Sequence, residues 1–364
     1  MSTTLDEKRS DTPKTPDSQP SSLLSGHLGV NARRGIVAGS VIAGCLLTFL
    51  AIGRLHVVAA IALSAIIYAV VIYAVSRTVE GPRQAADRLT TAVVTTFFLL
   101  AMVPLVSLII TVVENGWSRM DAEFFNSSMR GVIGEGGGIY HALMGTLIIT
   151  ALATVVSVPI GILAAIYLVE YGKGNRLSRS LTFFVDVMTG IPSIVAGLFA
   201  YAFFVIFMGP GARAGVIGAT ALMVLMIPVV VRNTEEMLRV VPNELREAAY
   251  ALGVPKWLTI MKVVLRTAIA GIATGVTIAI ARIIGETAPL LVTVGITTGV
   301  NLNPFSGRMA TLPVFSYYQY ATPGIPPEPY IDRAWAAALV LMIVVMALNL
   351  VARAISYYFA PKAR

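Results

Sequence analysis

Charge is what this sequence has least of. Only 13% of its 364 residues are Asp, Glu, Lys or Arg, 56% are hydrophobic, and the mean hydropathy is +0.79. A soluble domain carries about a quarter of its residues as charges, so a water-soluble fold is excluded. Cysteine is nearly absent too. The single Cys45 lies inside an apolar run, which rules out an intramolecular disulfide and any cysteine metal centre. The three histidines, His27, His56 and His141, stand far apart without ligand spacing. There is no GxxxxGK[ST] phosphate loop, so the chain does not hydrolyse nucleotide by that mechanism. It also lacks HExxH, GxSxG and any His/Asp cluster, which argues against a membrane-embedded enzyme. The net charge of +8 is not gathered into a basic patch interleaved with aromatics, so nucleic acid is not an expected partner.

What the chain does have is long apolar runs, each near the roughly 20 residues that cross a bilayer as helix. Eight candidate spans follow: about 35–53, 56–76, 91–113, 142–168, 181–207, 215–231, one starting near Thr267, and 334–357. The expected fold class is an all-α polytopic membrane protein in contact with lipid. Residues 1–34 are polar, rich in Ser, Thr and Pro, and read as a disordered tail. Residues 35–90 form a transmembrane hairpin joined through Arg54 and Leu55, then a basic loop with Arg77, Arg83 and Arg88. Residues 91–357 make a larger transmembrane domain, and 358–364 a short tail. Basic and acidic-or-neutral loops alternate, which places both termini and the 232–266 loop in the cytoplasm.

That loop contains ELREAAYALGVPKW, residues 244–257. Asn243 is a plausible N-cap, with Glu244 and Glu247 in the first turn where the helix dipole favours negative charge. Ala248, Ala249 and Ala251 keep the helix thin, Gly253 suits the left-handed position after a helix end, and Pro255 suits the first turn of a second helix. Thin helices with charged rims dock into grooves of partners. An amphipathic helix lying on the membrane surface fits the same composition.

One span later, TAIAGIATGVTIAIARIIGETAPLL places Arg282 and Glu286 four residues apart, on one face if the helix continues. Ionisable groups at membrane depth are expensive and face a cavity or a partner. An anion could compete with Glu286 for the Arg282 guanidinium, whose planar donors suit oxyanions. A purely structural ion pair satisfies the same pattern. Gly190 and Pro192 lie inside the fifth span and Pro228 near the end of the sixth, where they loosen the helix. Gly271 and Gly275 form a close-packing pair, suited to a neighbouring helix of this chain or of a partner subunit. The outer segment 292–333 carries Phe315, Tyr317, Tyr318 and Tyr320, which read as an interfacial aromatic belt or as a landing surface for a binding protein.

Several of these segments resemble one family. Glu247-Ala248-Ala249, then Gly253, then Val263 and Leu265, is similar to the EAA loop of bacterial ABC importer permeases. Val263 stands where that pattern has Ile, and Arg266 where it has Pro. Ala281-Arg282, Gly285-Glu286-Thr287-Ala288-Pro289, VVVRNTEEMLRVVPNELREAAYALG (229–253) and GIPSIVAGLF (190–199) resemble the PstA-type permease of the bacterial phosphate importer. The resemblance covers about 91–357 and leaves out the N-terminal hairpin. It implies a MetI-like type I importer fold and a place in the bacterial cytoplasmic membrane. It implies a substrate path using Arg232, Arg282, Glu286 and Thr287, and ATPase coupling through Glu247, Ala248, Ala249 and Gly253. The implied partners are a PstC-type permease, a PstB-type ATPase dimer and a PstS-type phosphate-binding protein. ATP and magnesium would sit on the ATPase, with no cofactor on this chain. Another oxyanion such as sulfate or molybdate, or a stand-alone channel or scaffold, are the rival expectations.

Overall fold

A computed structural model describes residues 28–54, 57–172 and 174–359. The expected polar tail up to residue 27, with His27, and Leu55, His56 and residues 360–364 lie outside the described residues. All regular structure among the described residues is helical. The chain divides into two compact units, one ending at Ile109 and the other beginning at Ile110.

The first unit contains α1 (Val30–Ile52), α2 (Val57–Val79) and most of α3 (Pro82–Gly116). The loop expected from Arg77 to Arg88 is in fact a two-residue turn. Gly81 takes a left-handed φ of 98°, which a side chain disfavours, and Pro82 opens the next helix without needing an N–H partner. Arg83 and Arg88 therefore ride on the first turns of α3. At 35 residues this helix is about 52 Å long, well beyond the hydrocarbon thickness, so its polar start can stand clear of the apolar layer. Glu80 fills the turn. Its buried carboxylate accepts from Ser76 Oγ (2.7 Å), from the backbone N–H of Leu28 just ahead of α1 (2.7 Å), and from Nε and Nη2 of Arg88 (2.6 Å for Nη2). One carboxylate thus ties three helices.

The second unit is built on α5 (Tyr140–Ile166), α8 (Gly215–Val240), α11 (Leu265–Ile283) and α14 (Glu328–Phe359). Between apolar helices in lipid there is no water-driven force, so close backbone contact decides packing. A Cβ on Gly161 of α5 would stand 2.6 Å from Val230 of α8, and one on Gly275 of α11 would stand 2.8 Å from Asn233. Gly271 likewise meets Met237, so the expected glycine pair packs against α8 of its own chain. Ile149, Ala153, Leu222, Met226, Val230, Ala279 and Ile283 form the buried centre.

Among the described residues seven helices are long and apolar enough to cross a membrane, or eight if one bent pair is a single span. The bent pair replaces the expected straight fifth span. α6 (Arg176–Thr189) and α7 (Ser193–Met208) meet at 110°. Pro192 has no N–H and forces Ile191 out of helical geometry, so Gly190-Ile191-Pro192 is a corner rather than a kink. The sixth span is longer than expected. Pro228 leaves α8 unbroken, and Arg232 lies within it, two turns short of its end at Val240. Short helices α12 (Ala288–Thr293) and α13 (Leu312–Ala321) occupy the 288–321 segment. Phe315 is buried edge-on to His141, away from any belt, while Tyr317 and Tyr320 remain exposed.

The Arg88 guanidinium, reinforced by the Leu28 and Ser76 donors, holds the Glu80 carboxyl at about 2, below its ordinary 4.5. A depressed folded-state value means the clamp is complete above pH 4.5 and fades as pH falls towards 2. Over that interval the thermal stability of wild type should fall more steeply than that of Glu80→Gln. Near neutral pH, Glu80→Gln should speed maleimide labelling of Cys45 on α1. Equal labelling in the two proteins would mean that Glu80 does not hold α1.

Candidate functional site

The motif segment 244–257 folds into two short helices, α9 (Asn243–Ala251) and α10 (Lys256–Thr259). Asn243 is the first helical residue and not the cap; the extended Pro242 precedes it. The Asn243 carbonyl Oδ1 instead accepts from Arg246 Nη1 at 3.3 Å. Gly253 adopts φ +74°, and the N–H groups of Gly253 and Val254 close the helix on the carbonyls of Tyr250 and Ala249. Pro255 lies one residue before α10, and its carbonyl accepts from Leu258 and Thr259.

Arg246, which sequence reading passed over, anchors this element. Its guanidinium donates to Glu170 Oε1 (2.8 and 3.1 Å) and to the carbonyls of Val241 (2.7 Å) and Leu238 (2.9 Å). Glu170 is buried and belongs to a wide turn, Tyr167–Tyr171, that extends α5. That turn and the end of α8 are thereby joined to α9. Of the motif residues, Ala249 packs inward, whereas Glu247, Ala248 and Gly253 face out. No ion pair or hydrogen bond engages the Glu247 carboxylate among the described residues. Leu245, Tyr250, Leu252 and Trp257 are exposed on the same element, Leu252 by 83%. An exposed apolar cluster at a charged helix rim is an interaction surface.

Arg232, Arg282, Glu286 and Thr287 are arranged differently from expectation. Arg232 is already engaged. It contacts Asp186 of α6 and Glu235 Oε2 at 2.8 Å, and Glu235 also meets Arg239. Arg282 and Glu286 do not share a helical face. α11 stops at Ile283, Gly285 and Glu286 turn the chain, and Thr287 supplies the first carbonyl of α12, accepting from Leu291. The chain turns at Ile284-Gly285, glycine being a poor helix former, and Pro289 falls in the first turn of α12, where its missing N–H has no partner to lose. Among the described residues no ion pair joins Arg282 to Glu286, and Arg282 is exposed. The antiparallel register set by Gly271–Met237 and Gly275–Asn233 places Arg282 about 9 Å along α8 from Arg232, towards the start of α8. Two motifs quoted separately from the sequence meet here. Pro289 sits on Gly197 of α7, where a Cβ would come within 2.6 Å of its Cα, so GIPSIVAGLF buttresses GETAP.

Comparison with known proteins gives the family of the chain. Residues 157–364 match the family described as the inner membrane component of binding-protein-dependent transport systems. The chain is 47% identical over 277 residues to the phosphate transport system permease protein PstA 1 of Mycobacterium tuberculosis (strain CDC 1551 / Oshkosh), covering 74% of this chain and 90% of that protein. It is 41% identical over 246 residues to PstA of Pasteurella multocida, covering 68% and 85%. Among solved structures, an inward-facing MetNI methionine ABC transporter chain is 19% identical, with a TM-score of 0.48, covering 66% of this chain and all of that one.

Arg246→Ala should strip the buried Glu170 of its partner at a cost of about 3–5 kcal/mol. Limited proteolysis within 243–256 should then accelerate while the transmembrane helices stay protected, and replacing both Arg246 and Glu170 with Met should restore much of the resistance. Unchanged cleavage in Arg246→Ala would remove Arg246 as the anchor.

Proposed function

Because this chain belongs to the inner membrane components of binding-protein-dependent transport systems, we propose that it is the PstA-type permease subunit of an ATP-driven importer carrying inorganic phosphate into the cytoplasm. The similarity to PstA proteins over most of their length carries this reading. It makes the chain a multi-pass protein of the bacterial inner membrane. The exposed Arg282, held by no carboxylate among the described residues, supports an oxyanion as cargo.

In this reading phosphate moves along the side of α8. Arg282 offers a free donor fork beside the Gly285–Thr287 turn, and Glu286 and Thr287 border the same place. Arg232, about 9 Å further on, is neutralised by Asp186 and Glu235. Phosphate reaching it competes with those carboxylates, which keeps the inner position weak enough to release its cargo.

Energy comes from outside the chain. A separate PstB-type ATPase dimer, with ATP and magnesium bound there, takes the exposed face of α9 into a cleft, using Glu247, Ala248 and the apolar rim of Leu245, Tyr250 and Leu252. Gly253 sets the angle at which α9 leaves α10. A PstC-type permease completes the path, and a PstS-type binding protein delivers phosphate from the other side of the membrane.

Uptake of labelled phosphate and sulfate, in cells lacking this chain and rescued by variants, tests the reading. Wild type should restore phosphate uptake only, and Arg282→Ala should lower it by roughly ten- to a hundredfold with the complex still assembled. Sulfate uptake, or full phosphate uptake by Arg282→Ala, would count against it. Gly253→Val forces a β-branched residue to φ +74°. The protein should insert normally, yet ATP hydrolysis should no longer drive uptake.

A further inference from the structure

At the end of α8 remote from α9, two arginines converge without any acidic partner. Arg213 immediately precedes the helix, and Arg308 lies in the segment between α12 and α13. Their stems pack on the same glycine: a Cβ on Gly295 would be 3.4 Å from Cδ of Arg308 and 3.6 Å from Cδ of Arg213. The Arg213 guanidinium lies 4.6 Å over the ring of Tyr201 on α7, and its Nη1 is buried with no hydrogen-bond partner. Among the described residues neither arginine makes an ion pair. The local sequence offers none, since residues 187–234 and 287–327 contain no Asp or Glu.

Two neighbouring guanidinium groups repel, and a buried donor left unpaired is costly. Among the described residues no carboxylate repays that cost, which leaves a place for a counter-charge from outside the chain. Tyr201 holds the Arg213 fork by cation–π attraction, and the lack of a side chain at Gly295 lets the stem of the exposed Arg308 lie beside it, which leaves planar donors for an oxyanion. Along α8 the pair lies about 20 Å from the level of Arg282, on the far side of it from Arg232.

We propose that Arg213 and Arg308 form a receiving site for a phosphate-type oxyanion at the outer end of α8, one step before Arg282. The placement in a path rests on the transport reading above; the site itself does not. Free phosphate and a phospholipid headgroup share this chemistry, and free phosphate is the source the placement favours.

The test uses the wild-type chain in its complex, in phosphatidylcholine nanodiscs, with phenylglyoxal modification of each arginine followed by mass spectrometry. Inorganic phosphate at about ten times its Kd should slow modification of Arg213 and Arg308 roughly tenfold, with chloride of matched ionic strength having no such effect. Slowing by phosphatidylglycerol in the disc but not by free phosphate would assign the pair to a headgroup and overturn the receiving role. Slowing by neither would overturn the site. In uptake assays, Arg213→Gln/Arg308→Gln should lose about tenfold at limiting phosphate and recover as phosphate is raised; an equal loss at all concentrations would also sink the role. Protection without any phosphate uptake by wild type would defeat the transport reading and leave the site standing, whereas uptake without protection would defeat the site alone.

Discussion

Close contact between α8 and its neighbours is the constraint on which the rest of this structure depends. In lipid, a helix gains little from hiding apolar side chains, and adhesion comes from backbone proximity. Gly161 of α5 and Gly275 of α11 provide it on two sides of α8, and each leaves no room for a methyl group. Pro228 breaks neither the helix nor its packing. The consequence is mechanical. A 26-residue helix of about 39 Å, gripped along its length, connects the α9 element at one end to Arg213 at the other. A push on α9 is therefore delivered to a rod rather than to a flexible loop.

Charge in this chain divides into two populations, and the division is informative because charge is so scarce. Glu80, Glu170 and Glu235 are buried carboxylates, each satisfied by one or more arginines; Glu80 and Glu170 each fix a joint between helices, and Glu235 holds Arg232 and Arg239 along α8 itself. Arg246 belongs to this group: removing it would expose the desolvation cost of Glu170. Among the described residues Arg213, Arg282 and Arg308 have no carboxylate partner. Structural ion pairs explain the first group and cannot explain the second. An arginine held at or near membrane depth without a counter-ion is a standing cost, and a transient anion removes it.

The apolar runs made the helical membrane fold legible in the sequence, since span length follows directly from bilayer thickness. The left-handed Gly253 was legible for the same kind of reason: local chemistry fixed it. Errors arose where tertiary contacts or proline overrode periodicity. Arg232 looked like a span end because charged residues follow it, yet α8 carries them on for two more turns against α6 and α11. Arg282 and Glu286 looked like one helical face because spacing was counted across the turn at Ile284-Gly285, where α11 has already ended. The Arg246–Glu170 joint was invisible, as its members are 76 residues apart and only the wide turn at 167–171 brings them together.

The break at Gly190-Ile191-Pro192 gives the last link between packing and chemistry. A straight fifth span would carry Gly197 along the membrane normal; the 110° corner redirects α7. Gly197 then supports Pro289, and Tyr201, one turn further on, lies under Arg213. A single short helix thus underlies both the turn beside Arg282 and the arginine pair at the start of α8. α11 ends at Ile283, ahead of that turn, so Glu286 lies off the helical face of Arg282. Proline and glycine, at the corner and at the contacts, thus set the backbone on which Arg213 and Arg282 stand.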